Sequence, residues 1–292
     1  MKGCGSLDLC NIRDVRALLE RHGFHFSKAR GQNFLVRSWV PEAIAEAAGI
    51  DEHTGVLEVG PGVGPLTEQL CRRAGRVVAV EVDERLRPVL AETVGAFPNL
   101  TLRFGDVLQE DLPALVQASF PGLRPVACAN LPYYITTPVL TALLEGHTFA
   151  AVTVMVQKEV AQRICAAAGT AEYGAFSVFC QYHASPRLLF DVPPDCFVPR
   201  PKVTSAVLQL ETRPAPPCPV RDEALFFRVV RASFAQRRKT LVNGLAAGFP
   251  TVSKAQLADV LAACGLPPTV RGETLDLAGF AAVADALAPL LP

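Results

Sequence analysis

Residues 55–67 constrain the fold more than any other stretch. Gly55-Val56-Leu57-Glu58-Val59 is a short apolar run of the kind buried in a parallel strand. It runs straight into Gly60-Pro61-Gly62-Val63-Gly64-Pro65-Leu66-Thr67, and a helical pattern continues to about Arg73. A strand, a tight glycine turn and a helix form the nucleotide-binding unit of a doubly wound α/β sheet. Glycine suits the turn because a ligand can approach a backbone that carries no Cβ. The dinucleotide fingerprint would require glycine at 60, 62 and 65, and position 65 is Pro. The spacing Gly60-x-Gly62-x-Gly64 therefore suits a ligand without a pyrophosphate. A lone glycine loop is also an ordinary tight turn, so its companions decide the matter.

Three companions follow in order. Residues 76–81 read as a second strand ending in Glu81, 17 residues past Gly64, near the position where an acid accepts hydrogen bonds from ribose hydroxyls. A carboxylate there disfavours a 2′-phosphate. The plainer role, an acid at a helix N-terminus, is open to Asp83 and Glu84 as well. Residues 100–104 form a third strand, followed by Gly105-Asp106. Asp106 can accept from an adenine amino group or cap the next helix. Residues 125–129 form a fourth strand that delivers Asn130-Leu131-Pro132-Tyr133. Asn130 offers an acceptor and two donors on a short side chain. Pro132 fixes its own φ and restrains Leu131. A planar ring beside a fixed amide can grip a flat substrate with an exocyclic amino group. Asn, Pro and Thr are also common turn residues. Four successive strands that each end in such a device, on the sheet edge where ligands bind, are better explained by one site than by four unrelated turns.

Further strands are expected at 150–156, 188–192 and 202–211, and helices at 11–22 and 39–48. Residues 27–35 contain Lys28 and Arg30, then Gly31, Asn33, Phe34 and Leu35. This reads as a basic lid over the ligand, able to touch a polyanion, or as a solvated loop anchored by its two apolar residues. Prolines 193, 194, 199 and 201 make residues 193–201 stiff and extended, with Phe197 as an anchor or stacking ring. The proline-rich stretch 214–219 is the best boundary, and residues beyond 222 read as helical. Between Arg200 and Thr240 nine basic residues face three acids, among them Arg200, Lys202, Arg237, Arg238 and Lys239. That is either a solvated surface or a phosphate-backbone footprint.

The totals exclude several classes. Half of the 292 residues are hydrophobic and 19% are charged, which is enough to bury a sizeable core and too apolar for disorder. The formal net charge is zero, so a polyanion must be held by local patches rather than by a global field. No apolar run approaches the roughly 18 residues of a membrane span. The N-terminus lacks the apolar core of a signal peptide. Nine cysteines, an odd number with no C-x-x-C, suggest neither a disulfide framework nor a zinc site. Cys128, Cys165 and Cys180 lie in apolar runs as small core residues. A reducing cytoplasm is the expected setting.

A glycine loop without pyrophosphate spacing, a ribose-binding acid and an adenine-binding Asp fit S-adenosylmethionine. Asn130-Leu131-Pro132-Tyr133 then supplies the acceptor's site. The lone pair of adenine N6 is delocalised into the ring, and oxygens that accept both N–H bonds can turn it towards a sulfonium methyl group. The Asn130 side-chain oxygen and the Leu131 carbonyl are placed for this, with Tyr133 stacked on the base. No strong general base is required, because most of the catalysis is positioning.

The sequence closely resembles the ribosomal RNA adenine dimethyltransferase family. The matching stretches are 28–35 (KARGQNFL), 56–67 (VLEVGPGVGPLT), Glu81, Gly105-Asp106, 130–138 (NLPYYITTP), 155–163 (MVQKEVAQR), 197–207 (FVPRPKVTSAV), 234–243 (FAQRRKTLVN) and Arg271-Gly272-Glu273. The resemblance spans nearly the whole chain. It implies a Rossmann-like class I methyltransferase sheet with a small C-terminal α-helical domain, divided as 1–213 (with 1–35 as N-terminal helix and lid) and an RNA-binding part at 220–292. It implies that Asn33, Leu35, Gly60, Gly62, Glu81, Asp106 and Asn130 hold S-adenosylmethionine. It also implies two methyl transfers to N6 of each of two adjacent adenines near the 3′ end of 16S RNA, in the pre-30S particle during ribosome maturation. The chain is expected to act as a monomer, with no metal and no membrane. A large-subunit (23S) RNA methyltransferase conferring macrolide resistance would use the same active-site parts. Tyr134-Ile135-Thr136-Thr137-Pro138 and the 155–163 stretch favour the small-subunit substrate. A non-catalytic assembly factor would not need Gly60, Glu81, Asp106 and Asn130 intact.

Overall fold

The computed structural model describes residues 7–24 and 33–291. In chain order its strands are β1 (Phe34–Leu35), β2 (Thr54–Val59), β3 (Arg76–Glu81), β4 (Leu100–Phe104), β5 (Arg124–Asn130), β6 (Ala151–Gln157), β7 (Ala184–Val192), β8 (Phe197–Val198) and β9 (Ser205–Thr212). The helices are α1 (Ile12–Arg21), α2 (Trp39–Ala47), α3 (Pro65–Cys71), α4 (Arg87–Thr93), α5 (Leu112–Ser119), α6 (Thr136–Leu144), α7 (Lys158–Cys165), α8 (Ala175–His183), α9 (Glu223–Ala235), α10 (Leu241–Gly248), α11 (Lys254–Ala263) and α12 (Leu277–Leu287).

Seven strands form one sheet in the order β4-β3-β2-β5-β6-β9-β7. The first five run parallel, and β9 pairs with β6 antiparallel. All six residues of β2 are buried, Glu58 among them, as befits a central parallel strand covered on both faces. From β2 the chain winds outward to β3 and β4, then returns across β2 to β5 and β6. The reversal falls between β2 and β5, and a sheet of this kind binds its ligand at such a switch point. Register fixes what meets there. Val59 pairs with Val80 on one side and Ala129 on the other, while Glu81 pairs with Phe104. Gly60, Glu81, Gly105 and Asn130 therefore reach the same sheet edge. At the opposite edge Gly55 admits no side chain, since a Cβ there would lie 2.4 Å from the Phe120 ring.

Two clusters flank this sheet. Val40, Ile44 and Ala45 of α2 and Leu66 and Leu70 of α3 pack with Val56, Val126 and Phe197. The amphipathic α1 buries Val15, Leu18 and Leu19 with Leu86, Val89 and Leu90 around α4, together with Phe34 and Val63. Each such side chain contributes roughly 1.5–3 kcal/mol when fully buried. Glu92 on α4 bonds both Arg21 and the His22 Nε2, the latter at 2.7 Å, so the end of α1 is tied down. Residues 193–201 are not continuously extended. Pro194–Cys196 make a short 3-10 turn, and β8 then pairs antiparallel with β1. The turn delivers the Cys196 carbonyl to the Val36 N–H at 2.9 Å.

The chain divides into two compact units, residues 1–161 with 187–212, and residues 162–186 with 213–292. The sequence places the boundary once, at the 214–219 linker. The structure puts residues 162–186 in the second unit, because Tyr173, Val178 and Tyr182 join the core of Phe226, Val229, Phe249, Leu257 and Phe280. Three of its helices begin at side chains that cap them, Asp222 accepting from the Leu225 N–H at 2.9 Å, Ser253 from the Gln256 N–H and Asp276 from the Gly279 N–H. Among the described residues no helix is long and apolar enough to cross a membrane, and no group of three His, Cys, Asp or Glu is placed to hold a metal ion. No disulfide forms among the described residues.

Candidate active site

At the switch point a cavity of about 260 Å³ opens on the ends of β2, β3, β4 and β5. Asn33, Leu35, Gly60, Gly62, Glu81, Asp106, Asn130, Leu131, Pro132 and Tyr133 all line it. Every residue that the sequence assigns to cofactor or catalysis is thus brought to one place.

The glycine loop forms its floor. Gly60, Gly62 and Gly64 have φ of 71°, 63° and 97°, the left-handed region that side chains rarely enter. A Cβ on Gly62 would also lie 3.1 Å from the Phe34 ring, and one on Gly64 would lie 2.7 Å from Val94. Backbone bonds hold the loop to the neighbouring strand ends. Gly60 N–H donates to the Val80 carbonyl, and Gly105 N–H to the Glu81 carbonyl, both at 2.9 Å. The Glu81 carboxylate accepts from the Gly62 N–H at 3.2 Å and from the Asp83 N–H at 2.9 Å. Glu81 therefore keeps its place with two backbone donors while still lining the cavity. The helix-start role belongs to Asp83, which accepts from the Arg85 N–H and holds the Arg85 guanidinium with both oxygens. Asp106 accepts from the Leu108 N–H at 3.0 Å with one oxygen. It is both a turn cap and a cavity residue.

Asn130 ends β5 with its amide in the cavity. The Nδ2 group donates to the Asn33 carbonyl at 3.3 Å, which leaves Oδ1 as the acceptor of a side chain that lines the cavity. Pro132 has φ −57° and ψ 134°, and its carbonyl accepts from the Ile135 N–H at 3.2 Å and the Thr136 hydroxyl at 3.4 Å. Tyr133 is half-buried and its hydroxyl meets Ser205 Oγ at 2.8 Å. Burial pushes the Tyr133 phenol up from its ordinary value, with the Ser205 bond opposing part of that shift. Tyr133 is accordingly neutral.

Sequence reasoning assigned no role to Glu58. This carboxyl is 1% exposed, lines the cavity beside the glycine loop, and its Oε2 has no hydrogen-bond partner among the described residues. Burial pushes its pKa up to about 8, with the Glu81 charge adding to the rise and the Thr67 hydroxyl opposing it. Acid two residues before the first glycine was the available signal. What it could not convey is that both faces of β2 are covered.

Lys28 and Arg30 lie outside the described residues. Arg200 and Lys202 are exposed, as are Arg238 and Lys239 in the turn between α9 and α10. Arg237 differs from these. It pairs with Glu273 at 3.1 Å and also bonds the carbonyls of Ala171 and Tyr173. It also ties three segments of the second unit together while remaining exposed.

A small cavity bounded by glycines with left-handed φ, by Glu81 and by a buried carboxyl with one oxygen unpartnered fits a cationic nucleoside such as S-adenosylmethionine. The family model for ribosomal RNA adenine dimethylase matches residues 23–265. The chain is 46% identical over 287 residues to the ribosomal RNA small subunit methyltransferase A of Geobacillus thermodenitrificans, covering 97% of this chain and 98% of that one. It is 48% identical over 277 residues to the protein of the same name from Streptococcus pneumoniae, covering 94% and 96%. Among solved structures, a dimethyladenosine transferase from Plasmodium falciparum shares the fold with a TM-score of 0.72 at 23% identity, over 88% of this chain and 98% of that one. The 23S rRNA methyltransferase ErmE matches with a TM-score of 0.65 at 25% identity, over 88% and 100%. By the family model and by these relatives, the chain belongs to the ribosomal RNA adenine dimethylase family.

Proposed function

We propose that this protein transfers methyl groups from S-adenosylmethionine to N6 of two adjacent adenines near the 3′ end of 16S ribosomal RNA, acting as a cytoplasmic monomer on the pre-30S particle. The observation that carries the reading is the Asn130 amide, which lines the cavity beside Gly60 and Gly62 and is tied by its Nδ2 to the Asn33 carbonyl, with Oδ1 left as its acceptor. Bound S-adenosylmethionine supplies a methyl group already activated on a positively charged sulfur. The protein's own part is to hold and orient. Gly60 and Gly62 let the backbone approach, Glu81 takes the ribose hydroxyls, and Asp106 takes the adenine amino group. Glu58 lies where it can face positive charge. In the acceptor half, Asn130 Oδ1 and the Leu131 carbonyl accept the two N6–H bonds and direct the lone pair. The Tyr133 face carries the base, a contact worth roughly 1–3 kcal/mol. A paired adenine must first leave its stack. Arg200, Lys202, Arg238 and Lys239 are exposed cations available to phosphates.

The test is methyl transfer from labelled S-adenosylmethionine to small subunits that lack the modification, with the modified nucleotides mapped. Dimethylated adenines at two adjacent positions are the expected product. Label on large-subunit RNA alone, or on none, would overturn the reading. A second expectation concerns the basic turn. Replacing Arg238 and Lys239 with Ala should weaken RNA binding and flatten the plot of log affinity against log salt by about 0.7 for each lost single-strand phosphate contact. Arg237 is left in place because its loss would loosen the second unit. An unchanged slope would make the turn a solvated surface.

A further inference from the structure

The geometry points to Ser205 as the positioning residue for the ring of Tyr133, an inference that rests on Tyr133 carrying the target base. Ser205 is the first residue of β9, opposite Gln157 of β6, and it is fully buried. The bond from the Lys158 N–H to the Thr204 carbonyl at 3.0 Å holds the strand just before it. Its hydroxyl meets the Tyr133 hydroxyl at 2.8 Å across 72 residues of chain. The other end of Tyr133 is fixed independently. It opens the turn Tyr133–Ile135, whose preceding Pro132 carbonyl accepts from Ile135 and Thr136. A ring held at both its backbone and its phenolic tip can neither swing out of the cavity nor slide along it.

The arrangement has a chemical consequence. A buried serine hydroxyl is nearly always hydrogen-bonded, and here its partner is the phenol. The phenol is therefore engaged with the sheet. What Ser205 sets is the plane on which a flat base rests, and so the angle at which N6 meets its two acceptors. Misplacement of a reacting group by about 1 Å can cost as much as a hundredfold in rate.

Ser205→Ala, Tyr133→Phe, the double variant, Ser205→Thr and Tyr133→Ala would be compared by single-turnover methyl transfer. S-adenosylmethionine affinity would be measured alongside. Stacking would be read from the fluorescence quenching of RNA carrying 2-aminopurine at the target position. Ser205→Ala and Tyr133→Phe should each slow transfer about tenfold, with unchanged cofactor affinity and reduced quenching. The double variant should be no slower than either single one, and Ser205→Thr should retain most of the rate. Wild-type rate and quenching in both single variants, or losses that multiply in the double variant, would overturn the assignment. Tyr133→Phe alters a half-exposed side chain and decides the matter if Ser205→Ala fails to fold. Wild-type transfer and quenching in Tyr133→Ala would instead remove the base-carrying role on which the inference rests. An inactive Tyr133→Ala beside fully active Ser205→Ala and Tyr133→Phe would remove the role of Ser205 alone.

Discussion

Asn130→Ala is expected to lower the single-turnover rate of methyl transfer by about 10²–10³, while S-adenosylmethionine affinity changes much less. The size follows from what one preorganised polar group contributes in a water-poor site, about 2.7–4 kcal/mol of barrier. The amide acts at the acceptor. Its Nδ2 is held by the Asn33 carbonyl and its Oδ1 is left for the N6–H. Alanine removes both ends of that arrangement and leaves the glycine loop and Glu81 as they are. Asn130→Asp should be similarly slow, because a carboxylate cannot donate to the Asn33 carbonyl and so loses the contact that fixes its orientation. Single-turnover rates with saturating RNA separate this from weaker binding. A rate within about threefold of wild type in Asn130→Ala would refute the role given to the amide.

The features that were legible in the sequence are those that one short segment determines. The β2 run, the glycine spacing, Glu81 at the end of β3 and Asn130 at the end of β5 each follow from a strand period and the residue that ends it. Their convergence follows from the topology of a parallel sheet, which puts all their carboxyl ends on one edge. Features that depend on register between distant segments were not legible. The Asn33 carbonyl lies 97 residues from the amide it orients, and no local pattern encodes that bond. The pairing of β1 with β8 is of the same kind. Residues 162–186 read as an extension of the first unit because only their contacts with α9–α12 reveal where they belong. Arg237 shows the same limit for charge. Three consecutive cations look alike in sequence and all are exposed, yet Arg237 is paired with Glu273. Glu58 sits in the middle of the most readable motif, and its titration depends on burial by elements on both faces of β2.

Glu58 also sets the second large effect, a pH dependence of stability that Glu58→Gln should remove. The folded carboxyl titrates near 8, against 4.5 for the ordinary group. Below the lower value it is protonated in both states and contributes no pH dependence. Between the two values the unfolded chain ionises while the folded protein keeps its proton, so stability falls as pH rises, by about 1.4 kcal/mol per unit. Above the folded value both states are ionised and the loss levels off at about 5 kcal/mol. Burial is the main cause, since a charged carboxylate at 1% exposure gives up its hydration. Glutamine keeps the shape and never ionises. The thermal midpoint of the wild-type protein should therefore fall more steeply than that of Glu58→Gln between pH 5.5 and 8.5, with the variant gaining on it as pH rises. Parallel curves across that range would show that Glu58 is not held protonated. S-adenosylmethionine gives an independent check. A cation in the cavity favours the carboxylate and lowers its pKa, so binding should release a proton and wild-type affinity should rise with pH across the same interval. Glu58→Gln should lose that part of the pH dependence, because a neutral amide has replaced the carboxyl that would release the proton.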